Sequence, residues 1–191
     1  IHMIKYIIEI ISKFSISNID KLSCLEINYN DLKNSLKLGS FFSKYYIIEN
    51  NIKKYIKNKI YFNDYNPIKY NLGTIYTFKS TSKFDVIIIS SDLENLIVGT
   101  YDKILSLLKD GGLMIIIQPR ANPKNWDDDK YNKNSKKFDK KAWNKKKEKL
   151  RFISELLISK GWIVFKRKTN NFFIYKHPER FSVYNEKHKN D

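Results

Sequence analysis

The sequence predicts an α/β domain: a three-layer, doubly wound, mostly parallel sheet closed by a terminal antiparallel hairpin. Three observations carry this. Apolar runs that fit strands alternate with segments of helical periodicity, in the order helix, β-α-β-α-β, an irregular stretch, β-α-β, a long loop, then α-β-β. Phe84 to Ser90 is β-branched and apolar on both faces, as a central parallel strand is. Near the end, two short apolar runs flank Thr169-Asn170-Asn171, a hairpin turn signal.

Taken in order, Ile4 to Phe14 repeats Ile4, Ile7, Ile8, Ile11 and Phe14 at helical spacing, which predicts an amphipathic helix. Leu22 to Ile27 reads as a buried strand. Asp31 to Phe42 reads as a helix with Leu32, Leu36 and Leu38, and Tyr45 to Ile48 as a second strand. Asn50 to Lys57 reads as a short helix with Ile52 and Ile56 on one face, followed by a brief third strand, Ile60 to Phe62. Tyr65 to Lys83 is broken by Pro67 and Gly73, with Thr74 to Phe78 a weak strand. After Phe84 to Ser90, a helix is expected from Ile97, Tyr101, Ile104, Leu105 and Leu108, stopped by Gly111-Gly112, then a strand, Leu113 to Ile117. Pro119 to Trp143 is a long, Lys-rich polar loop containing Trp126 and Trp143. Lys146 to Lys160 is an amphipathic helix with Leu150, Ile153, Leu156 and Leu157, ended by Gly161, and Trp162 to Lys166 pairs with Phe172 to Lys176 as the hairpin.

In domain terms, residues 4–177 form one domain carrying a Lys-rich insertion over 119–145. Residues 1–3 read as a vector remnant and 178–191 as a flexible tail. At 191 residues and 42% hydrophobic, the chain has material for a packed core. No apolar stretch is long enough for a membrane span, and no secretion signal opens the chain, so an intracellular protein, cytoplasmic or nuclear, is expected, with no membrane partner. The single cysteine, Cys24, excludes cysteine-rich zinc sites. Histidines stand only at 2, 177 and 188, so neither a histidine metal centre nor a Ser-His-Asp triad is expected, and no metal is expected.

The formal net charge is +16, from 32 Lys and only 4 Arg, beside 20 Asn and 28 Ile. Lys, Asn and Ile share A/T-rich codons, so genome composition accounts for part of this charge. Defined phosphate and base contacts favour the bidentate guanidinium of Arg. The basic residues do gather in one place: Pro119 to Lys149 holds 12 of the 36. Lys133 to Lys149 is accordingly read either as a face for nucleic acid or another anionic partner or as a solvated helix surface.

The motifs Phe84-Asp85-Val86-Ile87-Ile88-Ile89-Ser90-Ser91-Asp92-Leu93-Glu94-Asn95-Leu96 and Leu107-Leu108-Lys109-Asp110-Gly111-Gly112-Leu113-Met114-Ile115-Ile116 resemble two signatures of class I S-adenosylmethionine-dependent methyltransferases. These are F-D-x-I-x-x-x-x-x-L-E-H-L at the fourth strand and L-L-K-P-G-G-x-L-x-I before the fifth. Asn95 replaces His in the first, and Asp110 replaces Pro in the second. The resemblance spans about Ile4 to Lys176 and implies a Rossmann-like sheet with S-adenosylmethionine as cofactor. It also implies site residues. Glu49, closing Tyr46-Ile47-Ile48, matches the carboxylate that accepts the ribose hydroxyls. Asp64, with Tyr65 beside it, matches the acid near the adenine after the third strand. Glu26 matches the acid of the first motif, and Ser90 ends the fourth strand. Asp92, Asn95 and Trp126 would border the methyl acceptor.

The glycine-rich turn of that family is altered. Its three glycine positions hold Asn28, Asn30 and Leu32. Asn adopts a left-handed backbone more readily than most residues, so Asn28 and Asn30 can still turn. Two functions are therefore expected. One is a methyltransferase whose acceptor the sequence leaves open, with RNA or another anionic substrate among the candidates. The other is a non-catalytic domain of the same fold, serving as a partner subunit or a module that binds nucleic acid or protein.

Overall fold

The computed structural model describes residues 2–15, 17–27, 31–63, 68–90, 98–119, 129–167 and 170–178. Its elements are α1 (His2–Phe14), β1 (Ser23–Ile27), α2 (Leu32–Gly39), β2 (Lys44–Glu49), α3 (Ile52–Asn63), β3 (Ile68–Leu72), β4 (Phe84–Ser90), α4 (Val98–Ser106), β5 (Leu108–Pro119), α5 (Lys140–Ser159), β6 (Ile163–Lys166) and β7 (Asn170–Lys176). The strands form one seven-stranded sheet in the order β3-β2-β1-β4-β5-β7-β6. β1 pairs parallel with β2 and β4, and β2 parallel with β3, while β6 and β7 pair antiparallel. The doubly wound class and its terminal hairpin are thus present.

The chain divides into two compact units. One comprises 1–90, 98–115 and 176–191, the other 91–97 and 116–175. In the first unit, Val86 to Ile89 of β4 and Cys24 and Leu25 of β1 are almost wholly buried, which is why β4 needs apolar side chains on both faces. α1 lays Ile4, Ile7, Ile10 and Ile11 into this core. Asp31 caps α2 by accepting from the Lys33 and Asn34 amides at 2.8 and 3.4 Å. At the other end of α2, a Cβ on Gly39 would stand 2.6 Å from Ile68 Cδ1, so a bare backbone there lets the helix end seat on the sheet.

Several expectations change here. Residues 60–62 are not a strand: they belong to α3, which runs to Asn63. Ile52, Ile56 and Ile60 face solvent at 59, 59 and 67% exposure, and α3 instead buries Asn58 and Phe62. Phe62 stacks on Tyr70 of β3 at 4.4 Å and Tyr55 stacks on the same ring at 5.1 Å, so aromatic packing overrides the isoleucine pattern. The third strand is Ile68–Leu72, inside the stretch that reads as irregular. Thr74 to Phe78 is a turn rather than a strand, closed by the Phe78 amide on the Thr74 carbonyl at 2.9 Å. α4 ends at Ser106, and Gly111-Gly112 lies within β5 rather than stopping a helix.

In the second unit, α5 begins at Lys140, six residues before the expected start at Lys146, because Asp139 caps it through the Ala142 amide at 3.1 Å. The long insertion is correspondingly shorter, with a 3-10 turn at Asp129–Tyr131. The hairpin register pairs Lys166 with Asn171 and Phe165 with Phe172, so Asn170 and Asn171 are strand residues and not turn residues.

Candidate functional site

Chain order runs from β1 outward through β2 to β3, then returns to β4 on the other side of β1. That reversal makes the carboxyl end of β1 the switch point, the position at which doubly wound sheets take ligands. Register defines the spot. Ile27 pairs with Ile48 on one side and Ile89 on the other. Glu49 and Ser90 each stand one residue beyond that row, so they flank the end of β1. Strands are about 4.8 Å apart, so the gap between their backbones is about 10 Å.

Glu49 is 4% exposed. Its Oε1 is buried without a hydrogen-bond partner, while the Asn50 and Asn51 amides and the nearby Lys54 act on the carboxyl. Burial raises its pKa above the ordinary carboxylate value, and Lys54 and the two amides partly oppose that rise. The Glu49 carbonyl accepts from the Gly73 amide at 2.8 Å, tying the ends of β2 and β3. A buried carboxylate oxygen without a donor is costly unless something else supplies one. A pair of hydroxyls entering at the switch point would do so.

Glu26 is held differently. Ser35 Oγ donates to its Oε1 at 2.9 Å, and the Tyr45 hydroxyl donates to its Oε2. Burial raises its pKa to about 7, with the two hydrogen bonds pulling the other way. Both oxygens are engaged by β2 and α2, so Glu26 ties β1, α2 and β2 together. Neither Ser35 nor Tyr45 stands out in the sequence, although a wholly buried tyrosine does demand a partner for its hydroxyl.

Asn28, Asn30, Asp64, Tyr65, Asp92, Asn95 and Trp126 lie outside the described residues. For Asp64 the premise also changes: the segment it was to close, 60–62, is helical, and the residues following the actual third strand are Gly73 and Thr74, neither acidic. Leu32, at the third altered glycine position, is the first residue of α2 and is half-buried.

The two signature motifs have structural work of their own. Asp85 Oδ2 accepts from the Ser23 amide at 2.9 Å and from Ser23 Oγ at 3.1 Å, and pairs with Lys109, locking the amino ends of β1 and β4. A Cβ on Gly112 would meet the Lys109 carbonyl at 2.8 Å and the Asp85 carbonyl at 3.0 Å.

In the second unit four lysines of the basic segment are laid on aromatic rings. Lys133 and Lys147 sit 4.3 and 4.2 Å from the Trp143 centroid, and Lys130 and Lys146 sit 4.9 and 4.8 Å from that of Tyr131. Trp143 thereby anchors the segment before α5. Among the described residues no group of three or more His, Cys, Asp or Glu could hold a metal ion, and no helix is long and apolar enough to cross a membrane.

No protein-family model matches the chain, and no curated protein sequence matches it. Solved structures do. N-methyltransferase NodS from Bradyrhizobium japonicum WM9 superposes with a TM-score of 0.58 at 14% identity, over 92% of this chain and 96% of that one. The chain has the fold of the class I methyltransferases. NodS in complex with S-adenosyl-l-homocysteine matches with the same TM-score of 0.58 at 13% identity, over 92% of this chain and 87% of that one. A methyltransferase candidate from Pseudomonas syringae matches at 0.57 and 10% identity, over 91% of this chain and 98% of that one. At these identities the likeness is one of fold.

Proposed function

We propose that the protein is an S-adenosylmethionine-dependent methyltransferase. The observation that carries the proposal is Glu49: a buried carboxylate with an unpartnered oxygen, closing β2 beside the switch point of a methyltransferase-fold sheet. Glu49 would accept the ribose hydroxyls of the cofactor, and Ser90 would border it from β4. When bound, the cofactor supplies an activated methyl group on a sulfonium. The protein's own task is to hold an acceptor in line with it and to exclude water. Glu26 keeps β1, α2 and β2 in register beneath the site without touching the ligand. Asp92, Asn95 and Trp126 are assigned to the acceptor side, and the Lys133–Lys149 segment to an anionic acceptor or partner such as RNA.

The residues at the altered glycine turn, Asn28, Asn30 and Leu32, favour a second reading, a non-catalytic domain that keeps the fold for binding a partner. Isothermal titration separates the two. The enzyme reading expects one molecule of S-adenosylmethionine bound per chain at micromolar affinity. Folded protein that gives no heat at several hundred micromolar cofactor overturns it in favour of the second.

A further inference from the structure

The second unit contains a cavity of about 490 Å³ that lies apart from the Glu49 crevice, although Asn144, Lys147 and Glu148 of its lining belong to the segment assigned above to an anionic acceptor or partner. Lys147, Arg151 and Ser154 of α5 line it at the i, i+4, i+7 spacing of one helix face, and Lys166, the last residue of β6, lines it as well. Three cations share the cavity with one carboxylate, Glu148. Lys147 and Arg151 stand at the spacing where like charges repel on a helix. The Arg151–Glu155 pair, at 4.0 Å and largely exposed, screens that repulsion weakly. A dianion between the cations would relieve it.

The rest of the lining is of another kind. Leu150 and Phe173 are buried and give the cavity an apolar base. Two amides join them, Gln118 near the end of β5 and Asn171 in β7. Asn171 Oδ1 is buried without a hydrogen-bond partner, an acceptor that needs a donor. One end of the cavity chemistry thus suits a phosphate, and the other suits a flat apolar body carrying an amine. The volume lies in the ordinary range for small-ligand sites, about 300–1,000 Å³.

We propose that this cavity is a second ligand site, taking a phosphorylated small molecule with an amine-bearing ring, of the mononucleotide class. Its lining residues all belong to the second unit, so the proposal stands apart from the Glu49 reading.

The test is calorimetric titration of the full chain with cytidine 5′-monophosphate, chosen because its ring carries an amine yet is not adenine. Cytidine and inorganic phosphate serve as half-ligands. The expected result is that the monophosphate binds at least tenfold more tightly than either half-ligand. Arg151→Gln and Lys166→Gln should each weaken it by fivefold or more. Lys160→Gln, an exposed cation outside the cavity, should leave it unchanged, as should saturating S-adenosylhomocysteine. All three substituted side chains lie at exposed positions, and thermal melts matching the parent protein confirm that the variants fold. Absence of binding at millimolar monophosphate overturns the proposal. So does phosphate binding as tightly as the nucleotide, which marks a bare anion site, or displacement by S-adenosylhomocysteine, which places the nucleotide in the Glu49 crevice. Binding that survives the Arg151→Gln, Lys166→Gln double variant overturns it as well.

Discussion

Two buried glutamates on neighbouring strands divide the work at the switch point, and their surroundings decide which does what. Glu26 has both oxygens engaged by Ser35 and Tyr45, whereas Glu49 keeps one oxygen without a donor. Glu49→Ala is therefore expected to weaken cofactor binding by tenfold or more in a titration while leaving the thermal midpoint nearly unchanged. Burial raises the Glu49 pKa, and the ionised carboxylate is the form that accepts hydroxyls. Affinity should accordingly fall as pH is lowered through that raised pKa, a loss absent from Glu49→Gln. Glu26 makes the opposite prediction for stability. Its folded pKa, about 7, lies above the ordinary carboxylate value of 4.5, so the folded state favours the protonated acid. That stability is complete below about pH 4.5 and is lost as pH rises through 7, amounting to a few kcal/mol. Urea denaturation midpoints should decline between pH 5 and 8 in the parent protein and stay flatter in Glu26→Gln.

Elements show where packing overrode pattern. α3 has isoleucines at 52, 56 and 60 in helical register, yet they are exposed, and its inward face is Phe62 and Tyr55 stacked on Tyr70. Phe62→Ala should cost about 3–5 kcal/mol, while Ile56→Lys should stay within about 0.5 kcal/mol of the parent. Chemical denaturation measures both. Gly112 tests the second signature motif. Its Cβ position is closed by two carbonyls of the backbone, so Gly112→Ala forces β5 from β4 and should cost about 1–3 kcal/mol. The strands of the first unit's core were legible because β1, β2 and β4 are apolar on both faces. β3 was not: Ile68-Lys69-Tyr70-Asn71-Leu72 is half polar, and its stability comes from pairing with β2 and from the aromatic stack. The start of α5 was hidden for a similar reason. Its first turns are Lys-rich, and the signal was a single capping aspartate, Asp139.

At the scale of the molecule, alternation of periods predicted the doubly wound sheet, and the likeness to NodS over 92% of the chain agrees with it. The candidate site was legible only in part. Glu49 was found because a strand-end carboxylate at the switch point has a geometric reason to be there. Asp64 was assigned from a strand that proved to be helix, and Gln118, Arg151, Lys166 and Asn171 converge only once β5, α5, β6 and β7 are folded. Part of the net charge of +16 is carried by lysines laid over Tyr131 and Trp143. The central claim, that the switch point beside Glu49 holds the cofactor, is tested most directly by amide chemical-shift mapping during titration with S-adenosylhomocysteine. Saturable shifts concentrated at Glu49, Asn50, Asn51, Gly73 and Ser90 are the predicted result. A spectrum that does not change at millimolar ligand, or changes only at residues remote from the ends of β1, β2 and β4, would contradict it.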